Sequence, residues 1–181
     1  MAYLLRSLIV LMMVSICITA LLALKMIHLP FSHIQIAIPA FIYTIFAQAF
    51  VMFYFIGVSR LTNNVFSIVN SGSNLEELFE KAPEDLMPYI EKTKKFVEES
   101  DRCKRQTIPW TILMLILGMI AFLLGGAHDT GLVEKTTHSG VVLGFMIAMS
   151  IGFFRQWHYL GKSHLLIRKL KTLYVMNDAQ M

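Results

Sequence analysis

The chain has 181 residues, of which 56% are hydrophobic, and a mean hydropathy of +0.60. A soluble domain of this length cannot hide that much apolar surface, so the composition specifies an integral membrane protein. Two cysteines, Cys17 in an apolar run and Cys103 in a charged segment, exclude a disulfide framework. The net charge of +4 comes without stacking aromatics among basic residues, which excludes a nucleic-acid reader.

Four runs are long enough to cross a hydrocarbon core, which takes about 20 helical residues. In chain order they cover roughly 4–27, 34–58, 108–127 and 139–160. Backbone groups in lipid must be satisfied internally, so each run is predicted to be helical. The first is longer than a secretory h-region and lacks an A-x-A site, and it reads as a retained span. The expected fold is an all-α, four-helix membrane bundle. Its parts are a first hairpin (1–58), a middle segment (59–107), a second hairpin (108–160) and a basic tail helix (161–181).

Of the 16 Lys and Arg, only Lys25 and Lys135 fall in the two short hairpin loops. The positive-inside rule then places both termini and the middle segment in the cytoplasm, as in a bacterial inner membrane, with the loops outward.

Within the middle segment, SGSNLEELFEKA offers Ser73 three residues before Glu76, a capping-box spacing that predicts a short helix ending at Pro83. EDLMPYIEKTKKFVEESDRCKRQT predicts a second amphipathic helix, striped by Leu86, Ile90, Phe96 and Val97, that runs to Pro109. Nine acids and eight bases make the segment nearly neutral, as befits a solvated hairpin packed under the bundle. The tail GKSHLLIRKLKTLYVM continues span four as a basic helix. Lipid headgroups are the expected partners of Arg155, Lys162, Arg168, Lys169 and Lys171.

The two hairpins echo each other. HIQIAIPAFIYTIFAQAFVMFYFIGVSRL opens on His33 and reaches Gly57; HSGVVLGFMIAMSIGFFRQWHYLGKSHLL opens on His138 and reaches Gly161. The His-to-Gly spacing differs by one residue, and YFIG answers HYLG. This suggests a duplicated hairpin related by an axis along the membrane normal, which makes His33 equivalent to His138 and His28 to His128. Gly140, Gly144, Ala148 and Gly152 form a small-residue ridge along span four, and Ala121 and Gly125 form a shorter one on span three. His138 falls about 160° around the helix from Gly140, so the ridge and the histidine are expected to serve different neighbours.

Four histidines at the outer ends of the spans are the candidate site. Imidazoles converging in a bundle could bind haem b or copper, with His33 and His138 as first ligands, His28 and His128 next, and Asp129 orienting His128 from behind. No known metal-ligand spacing is present, and interfacial histidines also occur without any ligand. His158 and His164 lie on the opposite side and read as interfacial. Gln48 is the candidate polar contact within the spans, either to a neighbouring helix or to a quinone or cofactor edge.

No Asp, Glu, Lys or Arg sits mid-span, which argues against a pump, an ion-coupled transporter or a charged filter. No P-loop, nucleophile elbow, CxxCH or HExxH is present, so no catalytic motif marks an enzyme. Two functions fit. One is a small subunit of a larger redox or respiratory membrane complex, with the outer histidines holding haem b or copper. The other is a cofactor-free scaffold among other membrane subunits. A small-solute permease is a more remote third.

Overall fold

The computed structural model describes residues 2–28, 30–79, 83 and 85–174. Residues 80–82 and 84 of the middle segment and 175–181 of the basic tail lie outside the described residues. Those described form four long helices, α1 (Ala2–Ala23), α2 (His33–Ser71), α3 (Met87–Asp129) and α4 (Lys135–Leu173), with a three-residue 3₁₀ turn at Leu75–Glu77. No strand occurs among them. All four helices are long and apolar enough to cross a membrane, and the protein is an integral membrane four-helix bundle.

The lengths are unequal for a reason visible in the sequence. α1 has 22 residues, about one membrane thickness, whereas α2, α3 and α4 have 39, 43 and 39. At about 1.5 Å per residue, each long helix spans some 60 Å, twice the hydrocarbon core. The surplus of all three lies at the same end and forms a three-helix stalk, while the α1–α2 and α3–α4 turns share the other end, here called the loop end.

In the apolar half, Ile9, Met12, Val51, Phe55, Met114 and Met149 are fully buried and bring together all four helices. Large apolar side chains such as Phe46, Leu143 and Phe154 point outward, as lipid-facing positions do. The stalk has its own core of Val65, Val69, Leu78, Leu170 and Tyr174. There Phe79 meets Tyr89 and Tyr174 edge-on at 5.0 and 5.3 Å, and the Tyr174 hydroxyl hydrogen-bonds Thr93. Between the two cores lies a polar layer. Thr62 and Ser100 share a 2.7 Å hydrogen bond, and Ser59 donates to Asp101 at 2.8 Å while Lys104 pairs with Asp101 at 2.7 Å.

Three local expectations are corrected. The capping box predicted at Ser73 and Glu76 is not formed. Only the 3₁₀ turn follows, its N-cap Asn74 is left-handed with φ 57°, and it has no side-chain cap bond. Ser73 instead bonds Ser71, just beyond the α2 C-cap Gly72 (φ 66°). A complete capping box does exist, at Ser32 and Gln35, where it starts α2 immediately before His33. Secondly, Pro109 does not end a helix: the amphipathic segment and span three are one continuous α3. A proline removes one hydrogen bond and crowds the preceding turn, and packing along both neighbours carries α3 past it.

The third correction concerns the ridge. A Cβ on Gly140 or Gly144 would meet nothing within 4 Å, so the loop-end half of the stripe has no neighbour in the chain. Only the other half is used: Ala148 is buried, and a Cβ on Gly152 would stand 2.4 Å from Met114 Sδ.

Candidate functional site at the loop end

A cavity of about 480 Å³ opens between the four helices in the loop-end half of the bundle. Its depth follows from the helices that line it: on α2 the lining runs from His33 to Thr44, about 16 Å of rise. Phe41 and Phe122 form part of the wall as a parallel pair, centroids 4.7 Å apart and planes within 9°. Gly118 and Gly125 keep the α3 side open, the first against Phe145 and the second against His138.

The polar lining groups are few. His33, Asp129 and His138 stand at the mouth; Thr19 and Thr44 lie deeper. Both threonine hydroxyls donate to their own helices, to Ser15 O and Ala40 O at 2.8 Å each. The imidazoles are therefore the side-chain hydrogen-bond donors that remain for a ligand. Among the described residues, no Lys or Arg lines the cavity.

Local structure explains the placement of each histidine. The Ser32 capping box fixes the first turn of α2 and with it His33. His138 is in the first turn of α4, its backbone N–H bonded to Glu134 O, and its ring lies against Gly125 of α3. His128 closes α3, and its ring is stacked on His138 with centroids 5.9 Å apart and planes within 13°. Its Nδ1 is 3.1 Å from Val133 O. A carbonyl only accepts, so Nδ1 of His128 carries a proton and donates to it. The Nδ1 of His138 is enclosed and has no hydrogen-bond partner in the protein.

Of the four outer histidines, the structure thus brings together three. His33 and His138 face the cavity, and His128 backs His138. His28 is exposed on the α1–α2 turn and does not line the cavity. The hydrogen bond expected from Asp129 to His128 is taken instead by Val133, because Asp129, one residue on, points to the mouth. At the loop end the ridge and the histidine part as expected, since Gly140 and Gly144 meet nothing within 4 Å while the His138 ring lies against Gly125 of α3; further along, Gly152 meets Met114, also of α3. Among the described residues, no group of three or more His, Cys, Asp or Glu is arranged to hold a metal ion.

Gln48 is fully buried and bonds a neighbouring helix. Gln156 Nε2 donates to Gln48 Oε1 at 2.6 Å and lies 3.0 Å from Thr111 Oγ1, while Gln48 Nε2 lies 3.1 Å from Met12 Sδ. One polar cluster thereby ties all four helices. Gln156 and Thr111 were not singled out in the sequence. Gln156 sits in FFRQWHY, where Arg155 and His158 mark a boundary, and no periodicity distinguishes an inward glutamine from a solvated one. Gln48 is 15 residues, about 22 Å, from His33, and lies one helical turn, about 6 Å of rise, below Thr44 at the inner end of the cavity lining.

No family model, curated protein or solved structure matches the chain.

Proposed function

We propose that the protein is a small membrane subunit of an electron-transferring complex, and that its loop-end cavity holds a redox-active ligand between His33 and His138. The distribution of Lys and Arg supports a cytoplasmic stalk and a cavity that opens on the outer side. The observation that carries the reading is the combination of an apolar cavity with two imidazoles, His33 and His138, at its mouth. A pocket that is mostly apolar with a few convergent polar groups is the usual form of a small-molecule site. Haem b, copper and an organic carrier are the ligands to be distinguished.

The test is an absorption spectrum, metal analysis and organic extraction of protein purified in mild detergent. A redox-active group is expected in stoichiometric amount. If there is no Soret band, no stoichiometric copper or iron and no extracted carrier, the reading is wrong.

A cofactor-free scaffold is the second reading, and Gly140 and Gly144 favour it. They leave a small-residue face open on α4, which another helix could approach closely. It predicts reproducible co-purification with larger membrane subunits and the loss of that association in Gly144→Leu.

A further inference from the structure

We infer that the ligand of the loop-end cavity is a neutral isoprenoid-type quinone, its ring carbonyl held by the imidazole of His138. This rests on the reading above and selects among its ligands by chemistry.

A bare metal is the poorest match. The described residues do not gather three ligating side chains, and Val133 and Gly125 hold the rings of His128 and His138 stacked rather than converging on a point. Haem has an apolar body but carries two propionates, which need cations at the mouth. Among the described residues, the charged one lining the mouth is Asp129, an anion, and no Lys or Arg lines the cavity. A quinone has no charge to compensate. Its carbonyl oxygens only accept, and the donors available to them are imidazole N–H groups, since Thr19 and Thr44 spend their protons on their own helices.

The rest of the cavity suits the remainder of such a molecule. The stacked pair Phe41 and Phe122 gives aromatic surface beside a ring, and Ile38 and Phe145 continue the apolar lining for a hydrocarbon tail. With Nδ1 of His138 enclosed, Nε2 is the ring nitrogen left to donate to a bound carbonyl.

The protein in nanodiscs, titrated with a photoreactive short-chain quinone, tests this. Saturable labelling is expected, mapped to α2 and the loop-end half of α3. His138→Leu should weaken binding tenfold or more, His138→Gln, which keeps an N–H, should restore most of it, and Gly125→Leu should abolish it by filling the wall. Gly140→Leu, whose side chain meets open space, should bind as the wild type does and controls for folding. Equal labelling of all variants would overturn the proposal. A Soret band with stoichiometric iron and no saturable quinone binding would overturn the quinone while leaving the redox-ligand reading intact. No redox group and no binding would end both.

Discussion

His138 and Gly125 touch across the α3–α4 interface, with the imidazole Cε1 3.2 Å from where a Cβ on Gly125 would stand. The next residue, Gly126, faces open space. Both glycines are helical, and alanine in a helix gains roughly 0.5–1 kcal/mol over glycine. Gly126→Ala is therefore expected to raise the thermal midpoint in detergent. Gly125→Ala should fail to do so, because the His138 ring must yield. Equal stabilisation by both would show that His138 does not hold this contact.

A second pair of glycines tests which half of the α4 ridge packs within the chain. A Cβ on Gly152 would overlap Sδ and Cε at the end of the Met114 side chain, which is fully buried and would have to repack within the core. Gly152→Val is expected to cost about 1–3 kcal/mol, the usual range for overpacking a core. Gly144→Val, with nothing within 4 Å, should unfold like the wild type when the protein is isolated. The ordering is read from thermal unfolding in one detergent, and a larger loss at Gly144 would contradict the packing.

These contrasts show what the sequence could and could not convey. The four spans were legible because hydropathy integrates over 20 residues, and the ends of the polar loops were legible because charge switches there. The stalk was harder to read. Pro109 looks like a boundary by local rules, yet α3 passes through it because tertiary contacts on both sides outweigh one missing hydrogen bond. The spacing at Ser73 and Glu76 matched a capping box that the fold does not use, while Ser32 and Gln35 formed one in a stretch read only for its histidines. The histidines themselves were found by their placement beside the loops. Their mutual geometry was not, since the stacking of His128 on His138 depends on the turn through Gly131 (φ 77°) and on where Gly125 leaves room. Pattern fixes which face a residue takes; it does not fix what stands opposite.

The polar layer at the top of the stalk carries a pH dependence. Hydrogen bonds from Lys104 and Ser59 hold the Asp101 carboxyl below its ordinary value. A carboxylate with a depressed folded pKa contributes stability above its unfolded value and loses that contribution as pH falls through the folded one. Lowering the pH from about 5 to about 3 should therefore reduce the thermal midpoint of the wild type more than that of Asp101→Asn. The difference should be small and shrink with salt, because Lys104 and Asp101 are 34% and 35% exposed. A steeper acid loss in the asparagine variant would reverse the assignment.

The buried glutamines give a sharper, asymmetric expectation. If Gln156 becomes Met, Gln48 retains only the sulfur of Met12 as a partner, a weak acceptor. If Gln48 becomes Met, Gln156 keeps the hydroxyl of Thr111 at 3.0 Å. Leaving a buried amide unsatisfied costs about 1–3 kcal/mol, so Gln156→Met should be the more destabilising single change. Methionine is unbranched and close in volume, which keeps the packing term small. Replacing both removes both unpaired amides, and the double variant should be more stable than the sum of the singles predicts. Interhelical hydrogen bonds in membranes are worth about 0.6 kcal/mol on average and up to about 1.7, and the coupling should fall in that range. A double-mutant cycle of unfolding free energies in one detergent measures it. Strict additivity would mean that the two amides, 2.6 Å apart here, do not stabilise one another.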